Sequence, residues 1–503
     1  MPDSMKVLLE MRPALAGHAG IPQATRLLFR GLADMPGISV EGLLQSSNRP
    51  VARGLPVQAG HALPEHRRVD RLSRVLISLQ PDEDLTIPQR IAAGLKVSRL
   101  TAQMLAGRMF GQSTTLSRFE ARGFEDFIWR NLFARTLAPE DFPVVTQAGY
   151  RIARVPWTAM HAAGIATRRV GHAVYPRLDT KGFDVMIAQT PYPGRVARST
   201  QLVVHYHDAI PLLMPHTIAD KAYHQASHYN ALKRNVADGA WFSCVSESTR
   251  RDLVSIFPEV EPRTITIHNM VSAHYRPEAP FTERVPEILR TRAHPKLPAS
   301  SVEMQQARPA GRPGAAIDYL LMVSTLEPRK NHVGLLAAWE RLRSQGFGHL
   351  RLVFVGSLGW HHDDILKKLR PWLARGGLHV LEDVPPEELR LLYRNARITV
   401  CPSFGEGFDF SGVEAMRCGG IVAASDIAVH RDIFASAAHY FSPYSVSQMA
   451  QSLAELLDPA AEARRQELHA EGERIAATYV PERVLPQWER FLSSLRHPAR
   501  PNA

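Results

Sequence analysis

The stretch that decides the fold is SFGEGFDFSGVEAM at residues 403–416, which joins an apolar run to the start of a helical pattern. The run RITVCPS at 397–403 predicts a buried strand, and VEAMRCG at 413–419 predicts the start of a helix. Three glycines in the loop between them allow its backbone to approach a ligand closely. Since a helix N-terminus also offers unpaired N–H groups, this turn predicts an anion-binding site.

The same stretch carries two carboxylates, Glu406 and Glu414. A carboxylate in the first helical turn, where Glu414 falls, can accept two hydrogen bonds from the neighbouring hydroxyls of a ribose. Glu406 is one loop earlier and could contact a second polyol. The alternative is a capping box, in which Glu414 only caps its own helix from three residues after Ser411.

Outward from this turn, short apolar runs alternate with helical periodicity. Predicted strands in the second half are DYLLMVST, LRLVFVGS, LHVLEDV and GGIVAAS, and those in the first half include MKVLLE, VMIAQ, QLVVHYH and WFSCVS. Helical patterns such as HVGLLAAWERLR and PPEELRLLYRNA separate several of them. Nearly continuous apolar strands that alternate with helices predict an α/β fold with parallel sheets covered on both faces.

A second strand-to-helix turn, STLEPRKN at 324–331, carries two cations. Arg329 and Lys330 precede a helix for which Asn331 is a good N-cap. Two cations at a helix N-terminus indicate a bound phosphate. The alternative is a charged turn that only faces solvent.

The net charge of the chain is +11 and its pI is about 9.7, which favours an anionic partner. Residues 151–200 hold eight Lys and Arg against Asp179 and Asp184. With the helical pattern at 87–110, this basic region predicts peripheral contact with an anionic membrane, although an ordinary solvated basic face explains it equally well. Nucleic acid is disfavoured because the region lacks interleaved aromatic residues.

The remaining features exclude several classes of protein. Three cysteines without CxxC spacing argue against a disulfide framework or a zinc site and favour a reducing compartment. The chain has no apolar run of about 18 residues, and its N-terminus is interpreted as a first buried strand rather than a signal peptide. HHDD at 361–364 is interpreted as a solvated helix start rather than a metal cluster.

Together, EPRKN, CPSFGEGF and VEAMRCGG resemble glycosyltransferase family four, the retaining enzymes of the GT-B fold, and Glu406 and Glu414 match that family's paired glutamates. The resemblance covers most of the second half. It is weaker in the first half, at 17–32, 203–211 and 244–253. It implies two Rossmann-like doubly wound domains facing a central cleft.

The resemblance also implies roles for individual residues. His207, Asp208 and Glu406 are expected at the catalytic centre. Residues expected to bind the donor are Gly17, Gly20, Arg329, Lys330, Gly407, Phe408, Asp409, Phe410 and Glu414. No cofactor and no metal are expected, because the cations and helix N-termini would stabilise the departing diphosphate.

Two departures from the family pattern stand out. Asp409, Phe410 and Ser411 replace the common Gly, Leu and Pro, which leaves the preferred donor sugar open. The family's arginine before the lysine is also absent, so Arg329 is expected to take its phosphate role.

The chain is too long for one core, since cores stop growing near about 250–300 residues. Residues 1–275 are expected to form an N-terminal Rossmann-like acceptor domain, with a helical insertion at about 50–150. A proline-rich linker is predicted at 276–316 and a nucleotide-sugar domain at 317–480. Residues 481–503 are expected to form a helix that crosses back to the N-terminal domain.

The expected function is transfer of a hexose, with mannose favoured, from a GDP-linked donor to a lipid-linked or oligosaccharide acceptor in surface polysaccharide synthesis. The expected location is the cytoplasm, with peripheral contact on the inner face of the membrane. One alternative is a catalytically silent GT-B scaffold that binds nucleotide sugar, motivated by the departures at 409–411. Another is a sugar-nucleotide epimerase of the same fold.

Overall fold

The computed structural model describes residues 4–15, 17, 20–57, 63–80, 86–109, 111–168, 172–295, 297 and 317–496. Two separate sheets organise this part of the chain, one in each half. Helices cover both faces of each sheet, which confirms the predicted α/β class with two Rossmann-like doubly wound domains.

The first sheet has eight described strands in the order β3-β4-β2-β1-β5-β6-β7-β8. Neighbouring strands are parallel except for the antiparallel pair β3 and β4. The strands are β1 Met5–Glu10, β2 Ile38–Leu44, β3 Ser117–Phe119, β4 Gly149–Ile152, β5 Val185–Ala188, β6 Gln201–Tyr206, β7 Trp241–Cys244 and β8 Thr264–Thr266. β5 is buried at every position, as expected for a strand covered on both faces.

The second sheet has six described strands in the order β11-β10-β9-β12-β13-β14, and all of its pairs are parallel. The strands are β9 Tyr319–Val323, β10 Arg351–Val355, β11 Leu378–Leu381, β12 Ile398–Cys401, β13 Val422–Ser425 and β14 Ala438–Phe441. In the second sheet, successive strands are added on one side of β9 as far as β11 and then on its other side from β12 onward. In the first sheet, the order in which strands are added reverses in the same way between β1 and β5. Ligands of doubly wound folds bind beyond the carboxyl ends of the strands at such reversal points.

The helices of the first half and of the segment that follows it cover the first sheet and lead to the second. They are Ile21–Ala33, Glu65–Leu79, Ile87–Met109, Glu125–Ile128, Phe142–Thr146, Trp157–Arg168, Ile210–Leu213, Lys221–Ala237, Glu247–Ile256 and Val285–Thr291. Those of the second half are His332–Ser344, Asp363–Arg375, Pro386–Asn395, Phe410–Arg417, Ala428–Phe434, Val446–Leu457, Glu462–Ala476 and Pro481–Arg496.

The final described helix, Pro481–Arg496, packs on the first domain. Its Trp488 and Phe491 belong to the same core cluster as Val203 of β6. The Trp488 ring lies 5.3 Å from the ring of His205, centroid to centroid. Residues 497–503 of the predicted C-terminal helix lie outside the described residues.

The segment at 50–150 contributes strands as well as helices. β3 pairs with β4 and closes one edge of the first sheet. A three-residue strand such as β3 is too short to produce a period-two pattern, which is why the sequence did not reveal it.

The part of the predicted linker that is described packs on the second domain. Helix Val285–Thr291 buries Ile288 and Leu289 in the same core cluster as Tyr319 of β9. Arg292, just after it, donates to Glu388 at 2.6 Å. Residues 296 and 298–316 lie outside the described residues.

All three cysteines are buried and free. Across the described residues, no helix combines the length and the apolarity needed to cross a membrane.

Candidate functional site

The turn between β12 and helix Phe410–Arg417 begins its helix earlier than the sequence predicts. The N-cap is Asp409, whose Oδ1 accepts hydrogen bonds from the Ser411 backbone N at 3.1 Å and from Ser411 Oγ at 2.6 Å. Asp409 has a φ of 63°, in the left-handed region. Aspartate tolerates this region better than most residues, so it can stand where the family has glycine.

The other oxygen of Asp409 meets a buried histidine. Asp409 Oδ2 lies 3.1 Å from Nε2 of His430. Burial alone would raise the pKa of Asp409, but the hydrogen bond and charge of His430 and the charge of Lys330 lower it well below its ordinary value. Asp409 is therefore held as a carboxylate inside the second domain.

Glu406 joins the two predicted phosphate-binding cations. Its Oε1 lies 2.6 Å from Lys330 Nζ, and its Oε2 lies 2.8 Å from an Arg329 nitrogen. Burial would raise the pKa of Glu406, but Arg329 and Lys330 outweigh it and lower the pKa. The two predicted motifs therefore form one charged cluster, and Lys330 does not simply face solvent.

Arg329 is held on several sides. It donates to Glu327 Oε1 at 2.7 Å and to the carbonyl of Gly405. Burial acts to lower the pKa of Arg329, but Glu406 and Glu327 raise it above its ordinary value. With two carboxylates against two cations, this cluster carries little net charge before any ligand arrives.

Asn331 is the N-cap of helix His332–Ser344, as predicted, and its side chain accepts from the Gly334 N–H. Its amide also donates to the carbonyls of Pro402 and Pro443, each at 3.1 Å. One side chain therefore fixes the cation turn to the Glu406 loop.

The carboxylate of Glu414 is buried and makes no capping box. Its Oε1 accepts from Gln23 Nε2 at 2.8 Å, and its Oε2 accepts from the Tyr393 hydroxyl at 3.0 Å. Burial raises the pKa of Glu414 to about 7, against these two hydrogen bonds, which act to lower it. The capping-box alternative is wrong, because both oxygens bind side chains.

The first domain brings His207 and Asp208 to this loop at the carboxyl end of β6. A Cβ added to Gly407 would lie 1.8 Å from the carbonyl O of His207 and 3.2 Å from Cβ of Asp208. The hydroxyl of Thr249 lies 3.4 Å from the carbonyl oxygens of both His207 and Gly407. The two domains therefore touch at the predicted catalytic residues.

His207 and His205 point to the same side of β6, and their ring centroids are 4.5 Å apart. Burial, with a smaller contribution from His205, lowers the pKa of His207 well below its ordinary value. Its Nε2 has no hydrogen-bond partner among the described residues. A neutral imidazole with a free ring nitrogen can exchange one hydrogen bond with a sugar hydroxyl.

One carboxylate oxygen of Asp208, Oδ1, accepts a hydrogen bond from the Ile210 backbone N–H at 3.0 Å. Burial raises the pKa of Asp208, against the charge of Arg329.

The glycines after β1 are Gly17 and Gly20, with φ of 71° and 72°. The Gly17 carbonyl accepts from the buried guanidinium of Arg26 at 2.9 Å, which ties this loop to helix Ile21–Ala33.

Two predicted donor-binding residues are aromatic. Phe408 is buried, and its ring centroid lies 5.1 Å from that of Phe410 and 5.3 Å from that of Tyr479. Phe408 therefore packs into the second-domain core.

Sequence reasoning missed Gln23, Tyr393, His430 and Glu327. Glu327 is the first residue of EPRKN, two positions before the arginine that it binds, so its charge was a signal that could have found it. Gln23, by contrast, is 391 positions from the carboxylate that it binds. The sequence offered no signal that could have found the partners Gln23, Tyr393 and His430.

Among the described residues, no group of three or more His, Cys, Asp or Glu side chains is placed to hold a metal ion. At the HHDD segment, His362 Nε2 and Asp363 Oδ1 are 3.7 Å apart.

Comparison with known proteins identifies the second domain. Residues 311–473 match the family described as Glycosyl transferases group 1. A stretch of 213 residues is 29% identical to the O-antigen chain mannosyltransferase B of Escherichia coli, covering 42% of this chain and 50% of that protein. A stretch of 145 residues is 37% identical to the serotype-specific mannosyltransferase WbdA of Escherichia coli, covering 28% of this chain and 18% of that protein.

The chain therefore spans half or less of the length of these curated relatives. Among solved structures, the sucrose-phosphate synthase of Thermosynechococcus elongatus is similar over 98% of this chain and 100% of its own, with a TM-score of 0.55 and 14% identity. That likeness concerns the fold alone. Residues 311–473 thus match the Glycosyl transferases group 1 family, and the described residues adopt a two-domain GT-B fold.

Proposed function

We propose that this protein is a retaining glycosyltransferase that moves a hexose, with mannose favoured, from a GDP-linked donor to a lipid-linked or oligosaccharide acceptor. The observation that carries the proposal is the meeting of Glu406, Arg329 and Lys330 of one domain with His207 and Asp208 of the other. Acids, fixed cations and a neutral imidazole at one cleft suit the breaking of a sugar–phosphate bond.

The names of the relatives support the choice of sugar and pathway class. Both Escherichia coli proteins are named mannosyltransferases, and one is named for the O-antigen chain. Mannose transfer in surface polysaccharide synthesis is therefore the favoured reaction. The GDP-linked donor rests on the resemblance of HDAIP and EPRKN to bacterial mannosyl- and rhamnosyltransferases.

In the proposed reaction, an acceptor hydroxyl oxygen bonds to the anomeric carbon while the bond from that carbon to the diphosphate oxygen breaks. Attack occurs on the face from which the diphosphate leaves, and the hydroxyl proton passes to that diphosphate. Arg329 and Lys330 stabilise the charge that develops on the leaving group, so no metal is needed. His207 accepts or donates one hydrogen bond at the sugar, and Asp208 orients the acceptor hydroxyl.

Glu414 is assigned to the ribose hydroxyls of the donor, and Glu406 to the transferred sugar. Gly17 and Gly20 lie beyond the carboxyl end of β1, where a loop can approach the diphosphate. The replacement at Asp409 preserves the turn, because this carboxylate caps its helix and pairs with His430.

The test is release of nucleoside diphosphate from a panel of GDP-, UDP- and dTDP-sugars, with and without a lipid acceptor extract and with a metal chelator. Glu414→Ala and Lys330→Ala should abolish release, whereas Lys367→Ala, an exposed lysine on helix Asp363–Arg375, should leave it unchanged. Nucleotide binding without release, even with the extract, would instead establish the scaffold function. Release that the chelator abolishes would refute the metal-independent mechanism.

We further propose that the protein works at the inner face of the cytoplasmic membrane. Helix Ile87–Met109 exposes Ile91 by 60% and Leu95 by 67%, one turn apart. The segment 86–119 contains five Lys and Arg and no Asp or Glu. Exposed apolar side chains on a basic helix fit the surface of an anionic bilayer. The reducing compartment indicated by three free cysteines agrees with a cytoplasmic location.

Co-sedimentation with vesicles tests this contact. Wild type should bind vesicles that contain anionic lipid, bind purely zwitterionic vesicles weakly, and lose binding in high salt. Leu95→Ser with Ile91→Ser should weaken binding, whereas Val446→Ser, an exposed valine of the second domain, should not. The proposed surface would be refuted if the Ile91→Ser, Leu95→Ser variant and the Val446→Ser variant each bound anionic and zwitterionic vesicles equally well.

A further inference from the structure

Gln23 links the two domains at the carboxylate assigned to the ribose. It lies in the first turn of helix Ile21–Ala33, directly after the Gly17 and Gly20 loop. Its Nε2 donates to Glu414 Oε1 at 2.8 Å. Gln23 is 5% exposed and Glu414 is 4% exposed, so the contact is closed to solvent.

The remaining partners of Glu414 belong to its own domain. The Tyr393 hydroxyl donates to Oε2 at 3.0 Å, and the ring of Tyr275 lies 6.0 Å from that of Tyr393, centroid to centroid. Both tyrosines are buried in the core cluster of the second domain. Gln23 is thus the partner that separates from Glu414 when the domains move apart.

We propose that Gln23 occupies the ribose position on Glu414 in the nucleotide-free protein, and that a nucleoside diphosphate must displace it in order to bind. This inference rests on the proposed function, in which Glu414 accepts hydrogen bonds from the ribose. A vicinal diol needs open approach to the carboxylate, and at 4% exposure that approach is closed while Gln23 stays in place.

The helix that carries Gln23 is fixed within the first domain. Arg26, one turn further along the helix, donates to the carbonyls of Ala14 and Gly17 at 2.8 and 2.9 Å. It also donates to the Leu132 carbonyl at 2.6 Å, deeper in the first domain. The helix that carries Gln23 and the backbone of Gly17 are therefore fixed to the same domain, so Gln23 leaves Glu414 whenever this domain moves away from the second one.

The Gln23–Glu414 hydrogen bond must break before the ligand can bind. It therefore lowers the apparent affinity by a factor equal to the equilibrium constant for forming that hydrogen bond. Removal of the Gln23 amide should therefore tighten nucleotide binding by about tenfold or more. A residue that only oriented Glu414 would give the opposite sign, since its loss would weaken binding.

The experiment is calorimetric titration of the full-length chain with GDP and with UDP. Gln23→Ala and Gln23→Met, the second of which keeps the side-chain volume, should bind the preferred nucleotide about tenfold tighter than wild type. Glu414→Ala should lose binding. Gln201→Ala removes a comparable amide hydrogen bond, to the Gly239 carbonyl at 3.1 Å, at the opposite end of β6, and should match wild type.

The outcomes separate this inference from the proposed function. Unchanged or weaker binding by both Gln23 variants, with binding lost in Glu414→Ala, would overturn the competition and leave the nucleotide site intact. Wild-type affinity in Glu414→Ala would overturn the ribose assignment, and the inference with it.

Discussion

Asp409 and His430 form a buried pair in which Oδ2 and Nε2 are 3.1 Å apart and the side chains are 5% and 0% exposed. The histidine binds Ser425 through its other ring nitrogen, Nδ1, which is 2.9 Å from the Ser425 carbonyl. The pair therefore ties the start of helix Phe410–Arg417 to the end of β13. An acid that the sequence presented as a departure from a family pattern is a structural link beneath the cleft.

Asp409→Asn should destabilise the second domain by about 3 kcal/mol, since it breaks a buried, hydrogen-bonded pair. The folded pKa of Asp409 lies below its unfolded value. Its stabilising contribution is thus complete above the unfolded pKa of about 3.9 and is lost as the pH falls towards the folded pKa. As the pH is lowered from 7 to 3, the melting temperature should fall less for the variant than for wild type.

The matched control is Asp426→Asn, which removes a pair with Arg431 at 2.7 Å. That pair is about half exposed, so its loss should cost no more than about 0.5 kcal/mol. Equal melting temperatures for Asp409→Asn and Asp426→Asn at pH 7 would contradict the structural role of Asp409.

Gly407→Ala should reduce transfer by about 100-fold, because a methyl group would lie 1.8 Å from the His207 carbonyl O and push the two domains apart. The clash lies between domains, which can separate, so the melting temperature should fall little. Steady-state transfer rates and thermal melts measure both effects. Gly348→Ala has no atom within 4 Å of the new methyl and should behave as wild type. Activity within threefold of wild type in Gly407→Ala would mean that the domains do not close to this distance during turnover.

The sequence predicted the sheets and the two motif turns because their signals are local. Apolar runs such as β9 and β12 and the N-cap at Asn331 depend on neighbours within a few positions. The same holds for Glu406, because the glycines on either side of it predict a loop.

What the sequence could not supply were the partners across long separations. Gln23 is a polar residue in an amphipathic helix, and nothing local distinguishes it from a solvated glutamine. His430 carries no motif either, although its ring binds the carboxylate of Asp409. Helix Pro481–Arg496 shows an apolar stripe, but not which of the two cores receives Trp488.

Glu406→Gln should tighten binding of a nucleoside diphosphate while it lowers turnover. Glu406 pairs with Lys330 and Arg329 at 2.6 and 2.8 Å, so removal of its charge leaves Lys330 for the diphosphate and leaves Arg329 paired with Glu327 alone. We expect a gain on the order of tenfold at low salt, with a steeper salt dependence than wild type. Calorimetric titrations at two ionic strengths provide the measurement.

The control for this change is Glu388→Gln, which removes a similar ion pair, with Arg292 at 2.6 Å, outside the cleft. Its diphosphate affinity should equal that of wild type. Weaker binding by Glu406→Gln would show that Glu406 orients the cations more than it neutralises them.

Glu414→Gln should change how stability depends on pH. Burial raises the folded pKa of Glu414 to about 7, so between its unfolded pKa of about 4.3 and pH 7 the folded state holds a proton that the unfolded state has lost. Wild-type stability should therefore fall relative to the variant as the pH rises through this window, by at most about 4 kcal/mol, and become level above it. Denaturant unfolding at half-unit steps from pH 4.5 to pH 8 measures the difference.

Glu247→Gln supplies the contrast, because the pKa of Glu247 is lowered: burial would raise it, but hydrogen bonds from Arg250 and Thr266 outweigh that effect. Glu247 is ionised in both states above about pH 5.5, so the difference between wild type and this variant should stay constant from there upward. A hydrogen bond altered in Glu414→Gln adds only a constant offset, which leaves the slope as the diagnostic quantity. A flat difference for Glu414→Gln across the same range would mean that the carboxylate stays ionised when buried, and that protonation of Glu414 does not oppose ribose binding near neutral pH.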